Sequence, residues 1–183
     1  LKKTKALLDG RFVLSSGLHS AQYVQCARLL SQPRISNKFV SSLAAKIKKE
    51  IKKIDLILSP AMGGIIIGYE IGRILNKETI FCERVNKKFE LRRGFSIKKN
   101  SRVLIVEDVI TTGKSSLECV ELIKKSKAKL VGFACLIDRS EHKKIKYKVI
   151  SQVKLEIPTY NKSNLPHHLK KIPITKPGSR FLK

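Results

Sequence analysis

The sequence predicts an α/β fold, a mostly parallel central sheet flanked by helices, and three observations carry that expectation. Short apolar runs alternate with helix-period segments through the middle of the chain, the βαβ order that builds a parallel sheet. One run, Val103 to Val106, is aliphatic without a break, as strands buried on both faces are. Small-residue turns follow two of the strands, at 59–64 and 111–115, where open α/β sheets bind ligands.

In chain order, residues 34–52 show helical periodicity through Ile35, Phe39, Val40, Leu43, Ala44 and Ile47, with Ser36 as N-cap. Asp55 to Leu58 reads as a short buried strand, Ser59 to Gly64 as a turn and Ile65 to Leu75 as the next helix. A strand over Thr79 to Cys82, a charged stretch to Arg93, a strand at 102–107, a helix at 115–126 and a strand at 129–137 follow. This core is expected over about 34–144, whereas the terminal segments, about 1–33 and 145–183, break the alternation and are expected to form a small hood. With 183 residues, 42% of them hydrophobic, the chain suits one domain with a core of its own.

Several function classes drop out on composition. No run of about 18 apolar residues exists to cross a bilayer, and the N-terminal LKKTKALLDG lacks the apolar core of a signal peptide; a cytoplasmic protein is expected. Cys26, Cys82, Cys119 and Cys135 form no C-x-x-C pair and read as reduced core thiols, Cys82 being the one candidate for reactivity. No zinc set can be assembled, and the adjacent His167 and His168 read as surface residues. The net charge of +25 would suit nucleic acid. Its lysines, however, are scattered through helices and turns, with no aromatic RNA-binding signature and no low-complexity tail. Nucleic acid is therefore not the expected partner; the abundance of lysine and isoleucine together reads as a compositional habit of the source, and part of the charge is left to steer anionic substrates.

The segment VLIVEDVITTGKS, residues 103–115, carries the chemistry. Glu107 and Asp108 are expected at the carboxyl end of a buried strand, followed by Val109, Ile110, Thr111, Thr112, Gly113, Lys114 and Ser115, with a helix starting at about Ser115. Hydroxyls, approachable backbone N–H groups and a helix N-terminus attract phosphate. Carboxylates repel phosphate but accept hydrogen bonds from sugar hydroxyls or hold a hydrated divalent cation. Together they imply a phosphorylated polyol. The spacing is not that of the Walker loop, and no strand-linked G-x-G-x-x-G exists.

This segment resembles the phosphoribosyl pyrophosphate motif of type I phosphoribosyltransferases: four apolar residues, two acids, two variable residues, then T-[TA]-G-[TSK]. Three further stretches, GRFVLSSGLHSAQYVQCARLL at 10–30, SPAMGGIIIGYEIGR at 59–73 and LIDRSE at 136–141, resemble the orotate-specific members in order and spacing. The resemblance implies the type I phosphoribosyltransferase fold and a homodimer with shared active sites. It also implies Mg2+, held mainly through substrate with Glu107 and Asp108 able to reach it through water.

Each stretch has a plain reading beside the functional one. In SPAMGG, Met62 and Gly63 belong to a turn whose amides can face a phosphate, or whose glycines are there for packing. The family often has a lysine where this chain has Gly63. ERVNKKFELRRG, residues 83–94, is either a mobile loop of cations that closes over a polyanion or a solvated hairpin. The resemblance makes Arg84 the leading arginine of the family's basic loop and offers Lys87 and Lys88 for its lysines, although the K-x-x-K-x-H-G pattern is not reproduced. Tyr23 and Val24 either lie against a flat ring or belong to an ordinary amphipathic strand, and Ser15 stands where the family commonly has a lysine. Asp138-Arg139 matches the family's Asp-Arg, whose arginine holds the orotate carboxylate with its planar fork.

The expected reaction is therefore Mg-dependent transfer of a 5-phosphoribosyl group to orotate. Glu107, Asp108, Arg84 and Lys88 would act in catalysis, Thr111 to Ser115 would bind the 5′-phosphate, and Thr111 and Arg139 would orient orotate. Two alternatives stay open at this level: a phosphoribosyltransferase for another base, and a non-enzymatic phosphoribosyl-pyrophosphate-sensing RNA-binding regulator on the same fold.

Overall fold

A computed structural model describes residues 1–14, 17–140 and 145–175. These divide into two compact units, residues 33–155 and residues 1–32 with those from 156 onward. Ser15 and Glu141 lie outside the described residues.

In chain order the elements are β1 (Leu7–Val13), β2 (His19–Val24), α1 (Cys26–Leu30), α2 (Pro33–Glu50), β3 (Leu56–Pro60), α3 (Gly63–Leu75), β4 (Glu78–Val85), β5 (Lys88–Leu91), β6 (Arg102–Ile110), α4 (Lys114–Lys125), β7 (Lys129–Asp138), β8 (Val149–Lys154), β9 (Thr159–Tyr160), α5 (His167–Lys170) and β10 (Ile174–Thr175). The larger unit holds a six-stranded sheet in the order β5-β4-β3-β6-β7-β8, parallel except for the β4–β5 hairpin. From β3 the chain moves through α3 to β4 on one side, and from β6 through α4 to β7 on the other. The strand order therefore reverses between β3 and β6, and ligands of open α/β sheets bind at the carboxyl ends beside such a reversal.

The register sharpens this place. The β3–β6 pairing ends at Leu58 with Ile105, while β6 stays paired with β7 as far as Ile110 with Asp138. β6 thus outruns β3 by several residues.

Burial on both faces follows from the uninterrupted apolar strands. Leu56, Leu58, Val103, Ile105, Phe133 and Cys135 pack with Cys119, Val120 and Ile123 of α4. The alternate residues Ile57, Leu104 and Val106 are fully buried too, on the face that α3 covers. Each such side chain contributes roughly 1.5–3 kcal/mol relative to exposure.

Three expectations need correction, and one open choice is decided. The first long helix begins at Pro33, which suits a first helical position because it has no N–H to leave unsatisfied. Ser36 is not its cap; it is buried in the first turn and its hydroxyl donates to the Pro33 carbonyl at 3.3 Å. Of the two readings of the charged stretch from Glu83, the structure shows the hairpin, a two-residue one with Asn86 at φ 47° and Lys87 at φ 67° making the left-handed turn that such hairpins use. β8, expected in the terminal segments, pairs with β7 in the main sheet.

The smaller unit contains its own four-stranded sheet, β10-β1-β2-β9, in which β1–β2 and β2–β9 are antiparallel and β1–β10 is parallel. His167 and His168 are exposed on α5.

Candidate functional site

β6 positions the acids. Val103 to Val106 are all fully buried, so the strand is anchored on both sides before the charged pair is reached. It does not stop there: it continues to Ile110, which places Glu107 and Asp108 inside the strand rather than at its end. Successive side chains of a strand point to opposite faces, and the two acids diverge accordingly.

Glu107 turns towards α4, where the Ser116 hydroxyl donates to its Oε1. It is only 9% exposed, and burial pushes its carboxyl up to about 7, with the Asp108 charge adding to the shift and the Ser116 bond opposing it. Asp108 turns towards the start of α3. A Cβ on Gly63 would lie 2.6 Å from Asp108 Oδ1, so this carboxylate occupies the space that any other residue at position 63 would fill. Burial raises the Asp108 carboxyl as well, while the Val109 N–H, donating to Oδ1 at 2.9 Å, works against the rise.

After Ile110, which is buried and offers only its backbone, the chain surfaces at Thr111 and Thr112. Gly113 then takes φ +71°, the left-handed conformation that glycine adopts without strain. Its Cβ would come 2.8 Å from Ile145 Cδ1. The Lys114 N–H donates to the Thr112 hydroxyl at 3.3 Å, and α4 runs for 12 residues behind a glycine N-cap that carries no side chain. A first turn in that state presents backbone N–H groups to an anion.

The second turn lies at the other side of the strand reversal. The Ala61–Met62 peptide is cis, the Ala61 N–H donates to the Cys82 carbonyl at 2.8 Å, and the 13-residue α3 starts at Gly63 without an acid in its first turn. Met62 is 82% exposed.

Arg84 of the hairpin is held in place from three sides. Its guanidinium meets Glu118 of α4 at 2.6 Å, donates to the Lys87 carbonyl at 2.6 Å and lies 4.1 Å over the Phe89 ring. Lys87 and Lys88 are exposed. Arg93 is paired with Glu83 through two bonds, at 2.9 and 3.2 Å.

At the end of β7, the Arg139 N–H donates to the Ile110 carbonyl at 2.8 Å, which brings Arg139 beside the start of the threonine turn. Asp138 is 2% exposed and accepts from the Ser140 N–H at 2.8 Å and its hydroxyl at 2.6 Å; it shapes the turn that presents Arg139. Tyr23 and Val24 belong to the smaller unit. There Tyr23 packs on Phe12 with ring centroids 5.6 Å apart, and Val24 is buried opposite Leu7.

All four cysteines are free and buried. Cys82 Sγ lies 3.3 Å from Cys119 Sγ, a contact that, with burial, pushes the Cys119 thiol well above its ordinary value. Complete burial of Cys82 is the environment of an inert thiol. Among the described residues no group of three or more His, Cys, Asp or Glu side chains could hold a metal ion, and the two acids face apart. Such a donor set fits Mg2+ carried on substrate phosphates, which needs only one or two protein carboxylates and keeps its waters. No described helix is long and apolar enough to cross a membrane.

Sequence reasoning missed Ser116, Ser140 and Glu118. Ser116 had a signal: it stands in the apolar stripe of α4, one turn before Cys119 and Val120, where a polar residue calls for a partner.

Residues 28–171 match the model of the phosphoribosyl transferase domain. The chain is 44% identical over 181 residues to the orotate phosphoribosyltransferase of Erythrobacter litoralis, covering 98% of this chain and 94% of that one. It is 48% identical over 183 residues to that of Parvibaculum lavamentivorans, covering 99% and 94%. Among solved structures, orotate phosphoribosyltransferase from Aeropyrum pernix is similar with a TM-score of 0.74 at 25% identity, over 85% of this chain and 92% of that chain.

Proposed function

The chain belongs to the orotate phosphoribosyltransferase family, and on that premise we propose that it transfers the 5-phosphoribosyl group of phosphoribosyl pyrophosphate to N1 of orotate. The products are orotidine 5′-phosphate and pyrophosphate. One observation carries the reading: at the reversal of strand order, one β6 segment leads from carboxylates into a glycine-capped helix N-terminus, with a second small-residue turn beside it.

In the reaction the bond from the anomeric carbon to pyrophosphate breaks, the bond to N1 forms as N1 gives up its proton to the departing pyrophosphate or to solvent, and positive charge builds on the ribose between the two events. Positioning and electrostatic stabilisation are what a protein adds to such a step. The amides and hydroxyls from Thr111 to Ser115 hold the 5′-phosphate. Glu107 and Asp108 accept from the ribose hydroxyls and place negative charge near the developing cation, Glu107 from the α4 side of β6 and Asp108 from the side of the 61–64 turn. Met62 and Gly63 offer backbone groups to the pyrophosphate, and Arg84, Lys87 and Lys88 bring positive charge from the hairpin. Mg2+, when bound with substrate, neutralises the leaving pyrophosphate. Arg139, beside Thr111, receives the orotate carboxylate.

A homodimer is part of the proposal. Its support is the exposed apolar row Met62, Ile66 and Tyr69 at the start of α3, at 82%, 51% and 63% exposure, since contiguous exposed apolar side chains mark interaction surfaces.

The deciding assay supplies purified protein with Mg2+, phosphoribosyl pyrophosphate and orotate, and in parallel hypoxanthine, adenine or uracil. Consumption of orotate alone is expected; consumption of another base instead, or of none, removes the proposal. Arg139→Ala is expected to raise KM for orotate by roughly 10- to 100-fold, the effect of losing a charged bidentate contact. KM for phosphoribosyl pyrophosphate should stay put, and an equal rise in both would take specificity away from Arg139.

A further inference from the structure

We infer that Ser116 is a positioning residue for phosphoribosyl transfer: its buried hydroxyl fixes the orientation of the Glu107 carboxylate from behind the phosphate-binding turn. The inference rests on the reading above only in that Glu107 must take part in handling phosphoribosyl pyrophosphate.

The buried stripe of α4 consists of Ser116, Cys119, Val120 and Ile123. Three of the four are what helix packing asks for, and Ser116 is the polar exception, with no exposure at all. On the facing side of β6, the run Val103, Ile105, Glu107 has the same character: two aliphatic residues and one polar exception. The two exceptions meet each other, Ser116 Oγ donating to Glu107 Oε1. Packing alone would be met by alanine at position 116. A buried hydroxyl there is explained by its acceptor, because buried polar groups are kept where they are hydrogen-bonded.

The bond has a geometric consequence. With Oε1 engaged from α4, one oxygen of the carboxylate is tied to the helix and the swing of the side chain is restrained. Ser116 is also the third residue of the helix that opens on the phosphate-binding turn, so one hydroxyl ties the carboxylate to that turn. Serine at this position links the acid and anion halves of the motif without touching substrate.

A double-mutant cycle tests this. Ser116→Ala is expected to lower kcat about tenfold while KM for orotate changes less than about twofold, since a misplaced group near the chemistry acts on turnover. Ser116→Thr, which keeps the hydroxyl, should restore most of the loss. In a Glu107→Gln background, Ser116→Ala should add nothing further, which is the signature of two residues acting as a unit. The same cycle read in affinity for phosphoribosyl pyrophosphate by calorimetry needs no acceptor base, so it judges Ser116 even if orotate is not consumed. Full activity and affinity in Ser116→Ala, or effects that add independently to those of Glu107→Gln, would overturn the inference. A Ser116→Ala protein that fails to fold leaves Ser116→Cys, whose thiol is a much weaker donor, to take its place in the cycle, where effects that add independently to those of Glu107→Gln would overturn the inference equally.

Discussion

At the scale of single residues, Glu107 is held against its own charge. Its folded carboxyl titrates near 7 instead of the ordinary 4.5 because it is buried under α4. The folded protein therefore keeps a proton that the unfolded chain gives up between those values, and stability falls as pH rises from about 4.5 to about 7. At about 1.4 kcal/mol per unit, the loss is on the order of 3 kcal/mol. Glu107→Gln should flatten that slope and raise Tm at alkaline pH while it lowers activity; a Tm that still declines across the window would assign the slope to other groups. Gly63 is constrained from the opposite face. Gly63→Ala places a methyl 2.6 Å from Asp108 Oδ1, so the carboxylate has to leave its place. A loss of turnover of roughly 100-fold is expected for a displaced catalytic group, with the circular dichroism melt little changed; turnover within a factor of two of the parent would mean that Asp108 adapts freely. The acids themselves were legible in the sequence, but their divergence was not. Charged residues after an apolar run read as a strand end, and only the continued pairing of Val109 and Ile110 with β7 makes the strand long enough to turn one acid each way.

At the scale of elements, the β4–β5 hairpin and α4 form one assembly joined by Arg84. Its contacts to Glu118, Phe89 and the Lys87 carbonyl fasten the hairpin to the helix that opens on the phosphate-binding turn. Glu118→Gln weakens the link at its charged end. Hydrogen exchange is expected to speed up across Val85 to Leu91 while the centre of β6 stays protected, and an unaltered hairpin would show that Phe89 and the Lys87 carbonyl suffice to hold Arg84. The sequence showed these cations as an interval between strands, without the asparagine–glycine pair that announces a tight hairpin. Asn86 takes the left-handed conformation anyway, as asparagine does more readily than most residues. Strands β3, β6 and β7 and helices α3 and α4 were readable because each is a continuous apolar or 3.6-period run. Their ends shifted by a few residues where pairing with a neighbour outlasts the pattern.

At the scale of the whole molecule, the +25 net charge and the polyanionic substrate belong together. Summed positive potential raises the encounter rate of an anion and is screened by salt. kcat/KM for phosphoribosyl pyrophosphate should therefore fall as ionic strength rises, with kcat nearly constant; a salt-independent kcat/KM would make the charge irrelevant to the reaction. The site's other global property is its dependence on a meeting of distant strands. One anion turn follows β3 and the other follows β6, and the two are adjacent only because Leu58 pairs in register near Ile105. Neither turn is half of a working device by itself: α3 and α4 can form early from local contacts, but such non-local pairing is the slow part of assembly. In a refolding chain, turnover is thus a clock for the zipping of β3 to β6, and it starts only when the sheet closes at its middle.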